Sequence, residues 1–187
     1  MREKTDARVI RTKAKLVSTF MELIRKRDFE NLTVNDICEK ADVRRATFYK
    51  HYSDKYDFFK YIVSTLRADF DREWLLNSEG ELCDYFVNYA FSLIDFFDEN
   101  DVIIRNIAAS AVSSAMFSIA ISENFIETKK KICEAKGETI PHATDVFTPM
   151  LVGGVFHTML DWVKGGKIMP KEKLKEELEV IISNITK

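Results

Sequence analysis

Two arginines, a threonine, a lysine and a histidine, all able to donate hydrogen bonds, fall within a short segment of the chain: Arg44, Arg45, Thr47, Lys50 and His51. On a helix this segment covers little more than two turns, so the donors project from a short rod. Arginine and lysine donate to the O6 and N7 atoms of guanine, and threonine can contact several bases. The chemistry that this spacing favours is the reading of base edges in the major groove of DNA.

The residues before this segment predict the element that would hold it. Thr33 and Asp36 fit the [ST]-x-x-[DE] capping box, so a helix is expected to begin here. The helical pattern breaks at Asp42 and Val43, which predicts a tight turn. Two short helices joined in this way are the outline of a helix-turn-helix, whose second helix enters a major groove. The apolar side of the first helix is expected to be Val34, Ile37, Cys38 and Ala41.

Charge is unevenly distributed along the chain. Residues 1–60 hold 15 Lys and Arg against 10 Asp and Glu, whereas the rest hold 13 against 20, and the net charge is −2. A basic segment on an acidic body is typical of a DNA-reading head joined to a domain that does not bind DNA. Chance scatter of surface charge is the alternative. The small net charge argues against a protein that coats nucleic acid generally.

Nearly the whole chain has helical periodicity, and no convincing strand pattern occurs, so we predict an all-α fold. We divide it into an N-terminal three-helix DNA-binding head at 1–53 and a C-terminal helical ligand-binding and dimerisation domain at 54–187. No run of about 18 apolar residues and no signal peptide are present, so we expect no membrane partner and a cytoplasmic location. The predicted helices are 7–27, 34–41, 44–52, 54–76 with Ser53 as its cap, 79–98, a short one at 103–107, 110–135, 144–164 (or from Pro149) and 171–185.

Four short segments resemble the signature of the tetracycline-repressor (TetR) family. They read Thr-Val-Asn-Asp-Ile from Thr33, Ala-Asp-Val from Ala41, Ala-Thr-Phe-Tyr-Lys-His-Tyr from Ala46 and Ser-Asp-Lys from Ser53. The resemblance spans about residues 10–60. It implies a dimer of all-helical subunits with an N-terminal DNA-binding head and a C-terminal regulatory domain. Most members of this family are repressors that a small ligand releases from DNA.

The resemblance and the chemistry together assign DNA contacts. We expect Arg45, Thr47 and Lys50 to face base edges, with Ala46 close to a thymine methyl and Arg44 able to contact either a base or a phosphate. The opening amides of the second and fourth helices are expected to help attract phosphates. The expected side-chain phosphate contacts are Thr33, Tyr49, His51 and Lys55. His51 has the alternative of a packed, structural role, and Phe48 and Tyr52 are expected to be core.

Two residues depart from the family pattern. Asp42 stands where a glycine is usual, at a turn that visits the left-handed conformation, which Asp tolerates better than most residues. Arg44 stands where a small capping residue is usual, which removes a side-chain acceptor and adds a cation. We therefore expect the head to fold like its relatives and to read a different site.

A ligand site is expected among the aromatic residues of the C-terminal domain. Their bulk exceeds what helix packing requires, and apolar pockets with few polar groups are the usual form of small-molecule sites. For any single residue, a place in the core is the simpler interpretation. The effector's identity is open, and we expect no metal and no cofactor, since Cys38, Cys83 and Cys133 lack a ligand-like spacing. The candidate ligand-binding residues are Tyr85, Tyr89, Phe96, Met116, Phe117 and Trp162.

Dimerisation is assigned to the last two helices. Paired glycines at 153 and 154 cost helix propensity, which indicates a compensating close approach of another helix. An intersubunit four-helix bundle would place two recognition helices roughly 34–36 Å apart, so we expect a near-palindromic double-stranded operator. The candidate interface residues are Met150, Gly153, Gly154, His157, Leu160, Leu174, Leu178, Ile181 and Ile185.

Two other classes of function compete with a ligand-released repressor. An enzyme would need a nucleophile and base, a metal set or a phosphate loop, and the sequence offers none of these patterns. A helix-turn-helix regulator or adaptor whose C-terminal domain binds a protein partner remains the closer alternative. An exposed apolar patch outside the dimer face would favour the adaptor, and an aromatic cavity would favour the ligand-responsive repressor.

Overall fold

The structure, a computed structural model, describes residues 2–65, 82–136 and 144–185, and in these ranges it contains helices and no strand. The predicted all-α class is therefore confirmed. No single described helix is long and apolar enough to cross a membrane, although one bent pair (Asp101–Ile107 with Ala111–Glu123) passes that test by length and composition. The helices are α1 (Arg2–Ile24), α2 (Val34–Lys40), α3 (Arg45–Phe48), α4 (described over 55–65), α5 (Leu82–Glu99), α6 (Asp101–Ile107), α7 (Ala111–Lys136), α8 (Thr144–Lys164) and α9 (Lys171–Ile185).

Aromatic rings build the core of the N-terminal head. Phe20 of α1 meets Phe29, in a 3₁₀ turn, edge to face with ring centroids 6.1 Å apart. Phe58 of α4 lies 5.9 Å from Phe20 and 5.4 Å from Phe48 of α3, again edge to face. Each such pair adds stabilisation beyond simple burial. The first turn of α4 therefore shares the core of the head, and the boundary that we drew at residue 53 stays a prediction.

The cap of α2 is the predicted one, and the cap of α4 is not. The Thr33 hydroxyl accepts the Asp36 amide, while the Asp36 carboxylate accepts the Thr33 amide, which completes the capping box. At α4 the carboxylate of Asp54, and not Ser53, accepts the amides of Tyr56 and Asp57, both at 2.8 Å. Aspartate is as good a helix cap as serine and adds a charge that suits the helix dipole.

Most predicted helix bounds in the body hold within a few residues. α8 spans Thr144–Lys164 with Pro149 inside it, so the alternative start at Pro149 is wrong. It ends at Lys164, and Gly166, two residues later, has φ of 85°, the left-handed conformation that glycine adopts at little cost after a helix end. At the other end of the chain, α1 runs from Arg2 to Ile24 instead of 7–27. The predicted helical residues 66–76 lie outside the described residues.

Ion pairs join α9 to α5 in the body. The Lys175 and Lys171 ammonium groups lie 2.9 Å and 3.1 Å from the two carboxylate oxygens of Asp95. Lys167, in the loop before α9, lies 2.8 Å from Asp98 and donates to its carbonyl as well. These contacts fix α9 alongside α5, on which its apolar residues Leu174, Leu178 and Ile182 are buried.

Candidate DNA-binding surface and ligand cavity

The turn before α3 has the backbone conformation that the sequence predicts. Asp42 has φ of 49°, in the left-handed region, and the amide of Val43 donates to the Cys38 carbonyl at 2.9 Å. Aspartate is one of the few residues with a side chain that adopts this conformation at modest cost. Its exposed carboxylate lies 3.5 Å from the Lys15 ammonium of α1. The turn thus sets the angle of α3 against α2.

α3 spans only Arg45–Phe48, so the predicted helix over 44–52 is shorter than expected, and its last residues form a turn. The segment from Arg44 to Tyr52 nevertheless has two sides that differ sharply. Phe48 is fully buried and Tyr52 is 4% exposed, which anchors the helix to the head as predicted. Arg44, Arg45 and Lys50 are exposed, and none of the three makes an ion pair with another described residue. The Arg45 guanidinium lies 5.9 Å from the centroid of the Tyr49 ring, where a cation–π contact pre-orients it. The outward side of α3 therefore presents cationic donors that the head itself does not satisfy.

The remaining predicted contacts differ in how available they are. Ala46 and Tyr49 are exposed, and Thr47 and His51 are half-buried. The His51 ring lies 6.2 Å from the Tyr52 ring, so its structural alternative also has a contact. Thr33 is exposed, but its hydroxyl donates a hydrogen bond to the Asp36 carboxylate. That hydrogen bond lowers the pKa of the Asp36 carboxyl. Arg44 serves as the N-cap of α3 without any side-chain capping bond, as expected.

Lys55 does not face solvent as a phosphate contact would. Its ammonium donates to the carbonyls of Phe29, Glu30 and Leu32, at 3.1, 3.0 and 3.2 Å. It also lies 4.9 Å from the centroid of the Phe29 ring. Since an ammonium has three donors, this set uses all of them. In this structure Lys55 clamps the 3₁₀ turn to α4, and a phosphate contact would require it to leave those carbonyls.

The opening of α4 is also less suited to phosphate than we predicted. Asp54 occupies two of the free amides at this end, and the Ser53 amide donates to Asp57 at 2.8 Å. Two carboxylates at a helix start repel an anion that the bare amides would attract. Our expectation that these amides bind DNA phosphate stays a prediction for α4, and binding there would require phosphate to displace these carboxylates.

Glu30 connects the head to the body, which sequence reasoning missed. Its carboxylate accepts from the Ser110 hydroxyl at 2.8 Å and from the Tyr56 hydroxyl at 3.1 Å, and lies 3.7 Å from the Lys55 ammonium. The hydrogen bond from Ser110 is the largest cause of a lowered pKa at Glu30, which burial opposes. No spacing rule joins residues 80 positions apart, so the sequence held no signal for this contact.

A cavity of about 200 Å³ lies where the head meets the body. Three of the predicted ligand residues, Tyr89, Phe96 and Phe117, line it. Met116 and Trp162 do not, and the Trp162 indole instead donates to the Met169 carbonyl at 2.7 Å, which fixes the loop after α8. Trp162 is buried because its large indole, close to the end of α8, packs against the adjoining loop. The side chain of Tyr85 lies outside the described residues.

Much of the cavity wall comes from helices that we had not assigned to it. α1 contributes Phe20 and Met21, and α4 contributes Phe59, Ile62 and Val63. These positions carried the periodicity of buried helix faces, which marks a core without distinguishing a filled core from a hollow one. Nothing in the spacing of these residues predicts an internal void.

The predicted dimer face divides into two groups. Leu160, Leu174 and Leu178 are 3%, 5% and 6% exposed within one chain, so their assignment to an intersubunit face is wrong. They lie on the inward sides of α8 and α9. We had expected these apolar faces to pack on a second subunit, but they pack within the chain. Exposed positions remain on both helices, and among them Val146 and Val180 were not predicted. The exposed or half-exposed members of the predicted set are Met150, Gly153, Gly154, His157, Ile181 and Ile185.

Gly153 and Gly154 do not approach another described helix of this chain. A Cβ atom built on either residue meets no heavy atom within 4 Å. Packing inside one chain therefore gives no reason for their cost in helix propensity. Together with the exposed Met150 and His157 they form a shallow strip along α8. Within the described residues, no group of three or more His, Cys, Asp or Glu is arranged to hold a metal ion.

Comparisons with known proteins agree with this geometry. The family model for bacterial regulatory proteins of the tetR family matches residues 16–62, which contain α2 and α3. An uncharacterised HTH-type transcriptional regulator of Bacillus subtilis (strain 168), YxbF, is 36% identical over 68 residues, which is 36% of this chain and 18% of that protein. The chain thus matches less than a fifth of the length of this curated relative.

Solved structures resemble the whole described fold at low sequence identity. A TetR transcriptional regulator from Rhodococcus sp. RHA1 has a TM-score of 0.64 at 13% identity, over 92% of this chain and 94% of that one. The dihydroxyacetone kinase operon activator DhaS has a TM-score of 0.57 at 18% identity, over 94% and 96%. FadR from Bacillus subtilis, solved with stearoyl-CoA, has a TM-score of 0.56 at 10% identity, over 90% and 96%.

Proposed function

We propose that this chain, which belongs to the TetR family of bacterial regulatory proteins, is a homodimeric repressor of transcription that a small molecule releases from its operator. The observation that supports the proposal most directly is the outward side of α3. Arg45 in α3 and Arg44 and Lys50 on either side of it are exposed and lack ion-pair partners among the described residues, and Phe48 holds the helix on the head. We infer that the protein acts in the cytoplasm, where its operator is accessible.

Specificity in this proposal comes from Arg45 and Lys50, with Thr47 and Ala46 between them. A long cation that donates to guanine O6 and N7 contributes about 1–3 kcal/mol of discrimination against the wrong base. Arg44, Thr33, Tyr49 and His51 serve as phosphate contacts that set the register without reading sequence. Lys55 is left out of this set because its ammonium is bound inside the head.

A homodimer is proposed through the exposed strip of α8 and the exposed end of α9. Met150 is 59% exposed, Val146 75% and Val180 60%, and apolar side chains of this size gain free energy when a second copy covers them. A two-fold axis would bring the same strip from both copies together. Two α3 helices would then lie about one helical turn of DNA apart, which requires a near-palindromic operator.

Ligand response is supported by the cavity between head and body. It is lined by apolar and aromatic side chains from five helices, and such cavities are the usual form of small-molecule sites. A molecule that fits better in one arrangement of the head than in another shifts the population between them. Release of DNA follows if the favoured arrangement misplaces α3.

One observation favours the alternative in which the body binds a protein partner. Val112, Ile119 and Ile126 of α7 are 59%, 45% and 51% exposed and are spaced by seven residues, so they share one face of the helix. This stripe lies outside the proposed dimer face. Under the alternative, a Val112→Glu/Ile119→Glu variant would lose control of transcription in cells while it kept operator affinity and remained a dimer.

Selection of bound fragments from a random DNA library tests the proposed function. We expect the full chain to enrich an inverted repeat, and the log of its affinity to fall linearly with log salt as released counterions require. A compound screen on the enriched site then measures release. Failure to enrich any inverted repeat would contradict the proposed function, whatever the compounds do.

A further inference from the structure

The described lining of the cavity is almost entirely apolar. Among the described side chains that line it, none is charged, and the polar ones are those of Tyr89 and Ser92. The Ser92 hydroxyl already donates to the Tyr89 carbonyl at 2.8 Å. A ligand therefore finds mostly ring faces and aliphatic carbons, with at most a hydroxyl or two to bond.

Charge on the ligand would be costly in such a place. An unpaired carboxylate or phosphate taken from water into an apolar cavity loses several kcal/mol, which only a cation or a set of donors at the site restores. Lys60, the cation of α4 nearest along the sequence to the cavity-lining Phe59, faces away and pairs with Glu123 at 3.0 Å. The lining thus favours an uncharged molecule over a fatty acid or a coenzyme A ester.

Volume limits the size of the ligand. A cavity of about 200 Å³ is only somewhat larger than the roughly 150 Å³ engineered cavity that admits benzene. Sites for drug-sized ligands begin at about 300 Å³. One substituted aromatic ring, or an aliphatic compound of similar bulk, fills the described space.

The position of the cavity makes the head itself part of the wall. Phe20 and Met21 belong to α1, and Phe59 belongs to α4. The same two helices support α3, since α4 presents Phe58 to Phe48 and α1 presents Lys15 to the turn at Asp42. A ligand in the cavity touches these helices directly, so no relay through the body is needed to reach α3.

We propose that the effector is an uncharged, largely apolar molecule about the size of one aromatic ring, and that it acts on DNA binding by direct contact with α1 and α4. This inference rests on the proposed function and adds to it the chemical class of the ligand and the path of its effect. The coupling is reciprocal. Bound DNA must therefore lower the affinity for the ligand by the same factor by which bound ligand lowers the affinity for DNA.

Calorimetric titration of the full chain with p-cresol, and with benzoate as its charged counterpart of similar size, tests the ligand class. We expect p-cresol to bind with a micromolar to millimolar dissociation constant and benzoate to bind at least about tenfold more weakly. Octanoyl-CoA is the third probe and is expected not to bind. Tighter binding of benzoate or octanoyl-CoA than of p-cresol, or no binding of p-cresol, would overturn the assignment.

A blocking variant shows whether the probe is in this cavity. Leu93 lines it, and Leu93→Trp places an indole in the space that p-cresol needs. The matched control is Ile126→Trp, which puts the same ring on the exposed face of α7. Circular dichroism confirms that both fold. We expect p-cresol affinity to fall at least tenfold in Leu93→Trp alone, and an equal affinity in both variants would place the probe elsewhere and overturn the site.

Two further variants test the path of the effect. Met21→Ala and Ile121→Ala each remove one lining side chain, the first from α1 and the second from α7 in the body. For each we measure the ratio of the DNA affinity without p-cresol to the DNA affinity with saturating p-cresol. Direct contact predicts that Met21→Ala reduces this ratio several-fold while Ile121→Ala lowers p-cresol affinity and leaves the ratio unchanged. The opposite pattern would show that the body relays the effect.

The experiments keep the two levels of the account separate. If the chain binds its selected operator and p-cresol neither binds nor releases it, the ligand class fails and the regulator stands. If no operator is enriched, the regulator fails, and the titration with p-cresol still decides the chemistry of the cavity.

Discussion

At the scale of single residues, the turn at Asp42 combines a strained backbone with an exposed ion pair. Asp42 adopts φ of 49°, and its carboxylate lies 3.5 Å from Lys15 with 97% of the side chain exposed. An exposed pair contributes only about 0–1 kcal/mol. A left-handed residue with a Cβ costs about 1–2 kcal/mol. Relief of the backbone should therefore outweigh loss of the pair.

We predict that Asp42→Gly is about 1 kcal/mol more stable than Asp42→Ala, because both lose the carboxylate and only glycine loses the steric cost. Urea denaturation of the two variants measures the difference. Equal stabilities would mean that the turn does not hold the left-handed conformation in solution.

Lys55 offers a second prediction at this scale, since its ammonium satisfies three carbonyls while its side chain is only 16% exposed. Lys55→Met should lower the free energy of unfolding by about 1.5–3 kcal/mol, the usual range for hydrogen bonds to a charged group. Lys50→Met is the matched control and should cost less than about 0.5 kcal/mol. If Lys55→Met kept its stability and lost DNA affinity, this prediction would be contradicted and Lys55 would be a phosphate contact.

Residue assignments were predictable where the local pattern determines them. The Thr33–Asp36 capping box, the left-handed Asp42 and the uncapped start of α3 all follow from neighbours within four positions. Lys55 and Trp162 were not predictable, because their partners are fixed by how distant segments pack. A lysine in a DNA-binding motif carries no local sign of whether it points outward or into the head.

At the scale of elements, the α5–α9 contact depends on charge. Hydrogen bonds from Lys167 hold the pKa of Asp98 below its unfolded value of 3.8. For Asp95 burial acts in the opposite direction, but the bonds from Lys175 and Lys171 outweigh it and its pKa is also lowered. Such carboxylates stabilise the fold above pH 3.8, and the stabilisation is lost as pH falls through the lower folded-state pKa. The pKa of Lys171 is raised, so its contribution is present below 10.5 and is lost above the folded-state value.

We therefore predict stability that is nearly level at neutral pH and falls below about pH 4. A Lys167→Met/Lys171→Met variant should lose less stability over that acid range, since its carboxylates titrate closer to their unfolded values. Lys173→Met, on the exposed side of α9, is the control and should titrate like the unmodified chain. Identical acid profiles in all three would contradict the role of these pairs. The double variant should still lose some stability in acid, because the pKa values of Glu30 and Asp36 are also lowered and these residues are unchanged in it.

Helix positions were largely readable from periodicity, and the partner of each helix face was not. α9 was predicted at 171–185 and spans Lys171–Ile185. Its buried leucines were assigned to a second subunit, although they pack on α5. Periodicity identifies the apolar face of a helix but does not indicate which element covers that face. The cavity was missed in part for the same reason, because a void leaves the spacing of its lining unchanged.

At the scale of the whole molecule, the dimer is the first claim open to test. Met150→Glu/Ile181→Glu puts a charge on each exposed strip, and across a two-fold axis each charge meets its own copy. We predict that this variant sediments as a monomer and binds the operator far more weakly. Val112→Glu/Ile119→Glu adds the same charge to α7 and should remain a dimer. Dissociation by the α7 variant alone would move the interface to that helix.

The central claim is that the outward side of α3 reads a DNA sequence. Fluorescence anisotropy tests it most directly, with the affinity for the selected operator measured against a scrambled duplex at one salt concentration. The unmodified chain should prefer the operator by about 10³-fold or more. In Arg45→Ala/Lys50→Ala that preference should fall at least tenfold, whereas Lys164→Ala/Lys173→Ala, with the same charge lost from the body, should retain it. A folded Arg45→Ala/Lys50→Ala variant with undiminished preference would contradict the account.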